Sequence, residues 1–337
     1  MKYKIHVLPT NMLGGAENFI KKNISKKKKT NILVFLSNRK NNNFFEDDKY
    51  LTHYIGFNIF KLFQLTKKYE VEFIHFWMYK PIFLSLILFP LYFFSKKNFF
   101  CWHIRHNLQN LKYEQLKTIL IYYLILPFSF VPKYIFFNSN ASNKNHYFLN
   151  KNKIVIPNYQ DIIPLIQKKK ITKNYGFVGR YNKLKNCENL VKSFIKLDDT
   201  YKLHLFGRGL EDKLEKFIPF HKKNCFVFHG EVYDKTKIYN SFDFLVLPSY
   251  SESFPNVLIE AINFSIIPLC TNCGDSFEIN PFGFHINKYD YESIKKTIIA
   301  SSKISTMEYN KIIKKNHDYI TWKYSKVNVS FFLNLIF

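Results

Sequence analysis

The chain has 337 residues, enough for about two domains at ~150 residues each. Hydrophobic residues make up 47%, and there are only 10 glycines and 12 prolines, which excludes disordered, collagenous and linker-type chains. The formal charge of +25 is uneven: residues 1–160 hold 24 Lys/Arg against 7 Asp/Glu, so the first half calls for an anionic partner such as nucleic acid, an acidic membrane or a phosphorylated ligand.

Short apolar, β-branched or aromatic runs alternate with longer amphipathic stretches along the chain. Strands are predicted over 4–8, 31–36, 71–76, 99–104, 134–138 and 153–156 in the first half. In the second half they fall over 175–178, 202–206, 225–229, 244–247, 266–270 and 283–286. Helical patterns lie between them, among others over 186–197, 210–220, 235–242 and 256–264. Strand followed by helix, repeated, means βαβ units and parallel sheets covered on both faces. The pattern restarts near Tyr175 after the polar, Lys-rich stretch Gln167 to Asn174, which is the expected domain boundary. The fold class is therefore α/β, two Rossmann-like doubly wound domains facing a central cleft, where ligands bind at the carboxyl ends of the strands. Lys26 to Lys29 and Asn41 to Asn43 read as surface loops.

The five cysteines are scattered, and Met1-Lys2-Tyr3-Lys4 leads straight into a strand rather than a signal peptide, so a reducing cytoplasmic location is expected. Pro81 to Phe94 and Ile119 to Pro132 are apolar for 14 residues each, short of the ~20 that a membrane-spanning helix needs. They read as buried core helices or, flanked by Lys96, Lys97 and Lys133, as interfacial segments on an anionic leaflet.

The most informative segment is Leu245 to Ala261, LVLPSYSESFPNVLIEA. A buried strand gives way to a Ser-rich loop, and Pro255 suits the start of a helix. The backbone amides of Asn256, Val257 and Leu258 would then offer donors to a phosphate. Glu252 lies in the loop and Glu260 one turn into the helix; carboxylates accept from vicinal sugar hydroxyls. In Tyr175 to Lys185, Gly179 allows a tight turn, and Arg180 and Lys185 place two cations at a strand end, suited to a diphosphate leaving group. Gly14-Gly15-Ala16-Glu17 is a small-residue loop that enters a helix. Gly207-Arg208-Gly209 reads as a strand-to-helix turn lining a nucleotide pocket, because Asp212 replaces the third glycine of a dinucleotide fingerprint. Cys270 and Cys273 form a lone C-x-x-C, which is rarely a metal site, and His53 and His75 read as structural or surface residues.

Together these segments resemble glycosyltransferase family 4, which has the two-domain GT-B fold. The resemblance covers nearly the whole chain. It rests on GGAE at 14–17, FIHFWMYK at 73–80, CWHIRH at 101–106, FNSNAS at 137–142 and IPN at 156–158. VGRYNKLKN, LHLFGRG, FHGEV, PSYSESFPNVLIEA and the CTNCGDSFEI stretch follow in order, and Glu252 to Glu260 has the family's E-x7-E spacing. The resemblance implies a retaining transferase that needs no metal or other cofactor. Glu260 would bind the ribose of a nucleotide, and Glu252 would sit by the donor sugar. Arg180 and Lys185 would hold the diphosphate, with Gly15, Arg208, Phe254, Pro255, Asn256 and Val257 completing the donor pocket. It also implies a catalytic histidine at the end of a strand in the first domain. His103 and His106 compete, and His106, past the strand, is favoured; His103 and Arg105 then fall to the acceptor. No Asp-x-Asp, the cation-holding motif of the other main glycosyltransferase fold, occurs. The chain departs from the family at Asn186, Lys80, Ser276 and Phe277, which bears on sugar selectivity.

The expected domains are 1–165 for the acceptor, 166–320 for the nucleotide sugar, and a C-terminal segment, 321–337, that packs back toward the first. The implied function is transfer of a sugar from a UDP-sugar to a glycan or polyprenyl-diphosphate-linked acceptor in surface-polysaccharide synthesis. The enzyme would be peripheral on the cytoplasmic face of an anionic inner membrane, with no nucleic acid as partner. Two alternatives are a GT-B sugar-nucleotide epimerase and a nucleic-acid-binding protein driven by the charge, the latter without any recognised binding signature.

Overall fold

Runs such as Asn31–Phe35 and Phe100–Ile104 are buried along their whole length, as strands covered on both faces must be. The computed structural model describes residues 2–12, 15–24, 30–37, 45, 50–93 and 99–337. These form two units, one of residues 1–158 with 329–337, the other of residues 159–328.

In the first unit the strands are β1 (Tyr3–Leu8), β2 (Asn31–Phe35), β3 (Leu51–Tyr54), β4 (Val71–Trp77), β5 (Phe100–Ile104), β6 (Tyr134–Phe137) and β7 (Lys153–Val155). All pair in parallel, in the order β3-β2-β1-β4-β5-β6-β7. The helices are α1 (Gly15–Ile24), α2 (Ile59–Lys68), α3 (Tyr79–Phe93), α4 (Leu116–Ile125) and α5 (Asn140–Asn145). Strand β3 escapes the sequence pattern because it is a short edge strand with only partly buried side chains.

The second unit repeats the plan with β8 (Asn174–Val178), β9 (Lys202–Phe206), β10 (Phe226–Gly230), β11 (Phe244–Leu247), β12 (Ile267–Thr271) and β13 (Phe284–Ile286). The order is β10-β9-β8-β11-β12-β13. Its helices are α6 (Cys187–Ile195), α7 (Leu210–Leu214), α8 (Lys235–Tyr239), α9 (Asn256–Asn263), α10 (Ser276–Ile279), α11 (Tyr291–Ser301) and α12 (Thr306–Tyr324); α13 (Lys326–Ile336) closes the chain. The helix expected over 210–220 ends at Leu214 and continues as a 3-10 turn, because Pro219 drives Ile218 into an extended conformation. Strand order reverses between β1 and β4 and between β8 and β11, so each sheet opens a crevice at one defined place.

The division between units falls after Asn158 rather than in the polar stretch 167–174. Residues 161–172 are strapped to the second unit by hydrogen bonds. The Ile163 amide donates to Asn263 Oδ1 at 3.0 Å, the Ile166 amide to Ser265 Oγ at 3.1 Å, and the Thr172 amide to Asp243 Oδ2 at 2.7 Å. Asn310 exchanges two bonds with the backbone of Lys168. A polar composition marks solvent exposure, yet the backbone of this exposed segment is tied to the second unit at several points. At the C-terminus, Val329, Leu333, Ile336 and Phe337 are buried in the first unit.

The core of the first unit carries a polar inlay. His6 on β1, His75 on β4 and His103 on β5 are buried, with His6 paired opposite His75 and Trp77 opposite His103. Trp77 Nε1 donates to His6 Nδ1 at 3.2 Å, which leaves His6 Nε2 to donate to Asn31 Oδ1 at 2.8 Å. His75 Nδ1 and His103 Nε2 share a hydrogen at 2.8 Å. Burial, partly offset by the Asn31 bond, holds the His6 pKa down at about 4. Burial also holds His75 and His103 well below the ordinary value. Outside this inlay, burial likewise sets His146 at about 4.

These histidines fold as neutral rings and gain protons only on unfolding. Their contribution is present above pH ~6.5 and is lost as pH falls toward 4, at up to about 1.4 kcal/mol per pH unit per histidine. The first unit is therefore expected to lose stability steeply between pH 6.5 and 4. Trp77 and Trp102, both fully buried, would report the transition by a red shift in fluorescence. A stability flat across that range would contradict the neutral inlay.

Candidate functional site

In the second unit the chemistry gathers where β8 and β11 lie side by side. Strand β8 runs into Gly179, whose amide donates to Phe206 O at 2.8 Å, and β9 runs into Gly207, whose amide donates to Gly230 O at 2.7 Å. Gly207 has φ +141°, and a Cβ there would lie 2.2 Å from Gly179 O, so these two loops touch backbone to backbone. The Tyr181 amide donates to Arg208 O at 2.9 Å, clipping together the segments that carry the exposed Arg180 and Arg208.

A 3-10 turn over Lys183–Lys185 leads to Asn186, which sits in the left-handed region at φ 57°, ψ 32°. A glycine would take that conformation without strain; asparagine takes it at small cost and adds a side chain. Asn186 Nδ2 donates to Pro248 O at 3.1 Å and to Tyr289 O at 2.7 Å, and the Tyr250 amide donates to Leu184 O at 2.8 Å. The turn is thus sewn to the loop that follows β11. This accounts physically for the departure at Asn186.

That stitching brings Lys185 Nζ to 2.5 Å from Glu252 Oε1, which also accepts from Ser249 Oγ at 2.8 Å. Burial pulls the Lys185 pKa down, but the Glu252 carboxylate outweighs it and the net direction is up, so the ammonium persists. Gly274, at φ +58°, braces the loop from the far side: a Cβ there would lie 2.3 Å from the carbonyls of Glu252 and Ser253.

Glu260 lies in α9, with Oε1 2.8 Å from Lys235 Nζ and Oε2 accepting from Tyr239 OH at 2.8 Å. Burial, then the carboxylate, push the Tyr239 pKa well above 10, so its hydroxyl stays a donor. Pro255 caps α9, and Asn256 and Val257 open it. Of the three amides expected to face a ligand, that of Leu258 is already donated to Pro255 O at 3.1 Å, because the first turn closes tightly. The Phe254 side chain is buried edge-on against Tyr324, so it supports the loop from beneath rather than lining a surface. Cys270 and Cys273 are buried free thiols whose pKa values burial pushes up.

In the first unit Gly15 opens α1, while Gly14 lies outside the described residues, as do Lys26 to Lys29, Asn41 to Asn43, Lys96 and Lys97. Arg105 follows β5, with its guanidinium 3.8 Å over the Phe19 ring and Nη1 donating to Asn158 Oδ1 at 2.6 Å. Burial lowers its pKa to about 9 against the opposing pull of the buried Glu17. His103 is stacked at 3.8 Å on Trp77 and at 4.7 Å on Phe136, within the inlay and 1% exposed, so it has no face for an acceptor. His106 stands in the loop past the strand, partly exposed, with Nε2 3.0 Å from Glu114 Oε2. Glu114 was not singled out from the sequence, although it is the sole acidic residue between Glu72 and Asp161. Lys235 and Tyr239, one turn apart on α8, were also missed; only the fold brings them to Glu260.

Residues 172–301 match a family model described as Glycosyl transferases group 1. No curated protein sequence matches the chain. Among solved structures, the Anabaena protein Alr3699/HepE in complex with UDP and glucose is similar at TM-score 0.81 and 14% identity, covering 99% of each chain. Sucrose-phosphate synthase from Thermosynechococcus elongatus is similar at 0.80 and 13%, covering 100% of this chain and 98% of the other. The lipopolysaccharide outer core galactosyltransferase WaaB, in its apo form, is similar at 0.69 and 14%, covering 98% and 99%. Residues 172–301 are thus similar to the glycosyl transferases group 1 family, and the fold is that of GT-B glycosyltransferases.

The backbone contact at Gly207 yields a stability prediction. Gly207→Ala should cost roughly 2 kcal/mol or more in urea unfolding, from both strain and the clash. Gly230→Ala, at φ +65° with no atom within 4 Å of the added Cβ, should cost about half as much. Equal losses would show that the contact does not hold the loops.

Proposed function

We propose that the protein is a retaining glycosyltransferase that moves a hexosyl or N-acetylhexosaminyl group from a UDP-sugar to a glycan or polyprenyl-diphosphate-linked acceptor. The role would be surface-polysaccharide synthesis at the cytoplasmic leaflet of a membrane. The observation that carries this reading is the Lys185–Glu252 contact beside Arg180 at the reversal of strand order, with Glu260 held in α9.

In this reading the diphosphate takes Lys185 away from Glu252. The ammonium and Arg180 then face the oxygen on which charge collects as the bond to the sugar C1 breaks. Glu252, still accepting from Ser249 Oγ, then turns its carboxylate toward the sugar hydroxyls. The amides of Asn256 and Val257 and the α9 dipole support the phosphates. Glu260 takes the ribose hydroxyls, with its orientation held by Tyr239 and Lys235. Charge is balanced by side chains, so no metal is called for. Retention follows if the acceptor hydroxyl attacks from the side on which the phosphate departs and gives that phosphate its proton. His106, with Glu114 at its Nε2, and Arg105 would serve the acceptor end.

Saturation with UDP at ~100 times its dissociation constant should add about 2.7 kcal/mol of stability, a gain that GDP should not match. Glu260→Ala should abolish the shift. Absence of any UDP response, together with a salt-sensitive response to duplex DNA, would overturn the reading in favour of nucleic-acid binding. By calorimetry, Lys185→Met should weaken UDP about tenfold or more, since it removes the cation and leaves Glu252 facing the phosphates. UDP affinity unchanged in this variant would remove Lys185 from the donor site.

A further inference from the structure

Beyond Lys117 and Thr118 in its first turn, helix α4 is apolar around its circumference, which for a surface helix leaves one face without a covering layer. Tyr122 and Ile125 are buried inward. Leu116, Leu120, Tyr123 and Leu124 point outward at i, i+4, i+7 and i+8, exposed by 69, 54, 55 and 55%. The turn that follows extends the exposed face with Phe128 and Phe130. Alongside, the Tyr147 amide donates to Tyr122 OH and the Leu149 amide to Ser129 Oγ, which fixes the exposed Tyr147 and Leu149 against the same elements.

The charge around this face has one sign. Residues 99–158 contain seven Lys/Arg and one acidic residue, Glu114, whose carboxylate is buried beside His106. Lys112 and Lys117 are exposed before and on the apolar face, and Lys144 and Lys151 flank Tyr147 and Leu149. An apolar patch of this kind rarely stands open on a monomer. A protein partner would meet a rim with no exposed carboxylate to pair its own cations, whereas an anionic bilayer offers apolar depth under a layer of phosphates. With ten residues, α4 is about 15 Å long, half a bilayer core, and no helix of the described residues is long and apolar enough to cross a membrane.

We infer that the outer face of α4, with the 128–130 turn and Tyr147 and Leu149, lies in the plane of an anionic lipid surface, with Lys112 and Lys117 on its headgroups. This deepens the membrane part of the function proposed above, but it stands on residues that take no part in the donor site.

The test is flotation of the full chain with vesicles of phosphatidylcholine, alone or mixed with phosphatidylglycerol. Wild type should partition at least about tenfold more strongly to the mixed vesicles, and less so at high salt. Leu120→Ser with Leu124→Ser should lose about tenfold of that binding, while melting temperature and UDP-induced shift stay at wild-type values. Lys112→Glu with Lys117→Glu should abolish the preference for anionic vesicles. Failure of wild type to bind mixed vesicles would overturn the inference, as would unchanged binding by the leucine variant. So would a wild-type dimer that the leucine variant dissociates without any vesicle binding, since a second copy would then cover the face. The UDP shift, read on the same samples, tells a failure of the donor reading from a failure of this one.

Discussion

Lys185 and Glu252 are 67 residues apart in the chain and 2.5 Å apart in space. The contact exists because β8 and β11 are neighbours in the sheet, so the loops leaving their carboxyl ends share one crevice. Two glycines and an asparagine then close the distance. Gly207 lets the β9 loop touch Gly179, Gly274 lets the loop after β12 press on Glu252, and Asn186 joins the Lys185 turn to Pro248. Each partner neutralises the other, so neither charge is left unpaired in this part-buried place.

The two units use the same strand order for different ends. In the second, the segments that follow β8, β9 and β10 carry the cations Arg180, Lys185, Arg208 and Lys235. In the first, the strands near the reversal are inlaid with neutral histidines locked to Trp77 and Asn31. Such an inlay orders the sheet through hydrogen bonds that only one arrangement satisfies, at the cost of acid lability. Among the described residues of the first unit, Lys112 and Lys117 stand exposed on the surface beside exposed leucines and aromatics. Its apolar stretches are therefore of two kinds: α3 and α4 share the interior through Ile82, Leu88, Tyr122 and Ile125, and α4 turns its remaining side outward.

Strand and helix positions were legible in the sequence because both faces of each sheet are covered, and a doubly buried strand must be written as a continuous apolar run. The edge strands β7, β10 and β13 are only part-buried yet still carry short apolar or aromatic runs; β3, whose run LTHY is half polar, does not. The candidate residues at the second crevice stood out for a related reason. Loops at strand ends must combine glycine, cations and carboxylates at short spacing, as in VGRYNKLK and SESFPNVLIE. Partners contributed by distant elements leave no such local trace. Glu114 beside His106 and Tyr239 beside Glu260 follow from packing, and so does the withdrawal of His103 from any surface.

The sequence by itself determined the α/β class, the tandem of doubly wound units and the residues at the second crevice, since these follow from periodicity and from residue chemistry within one loop. The tertiary structure alone decided where one unit ends, because residues 161–172 are assigned by hydrogen bonds to Asn263, Ser265, Asp243 and Asn310 rather than by composition. It also decided which histidine lies within a core and which on a loop, and which apolar helix keeps an uncovered face. Both are questions of what stands on the far side of a side chain, and a one-dimensional pattern holds no record of that.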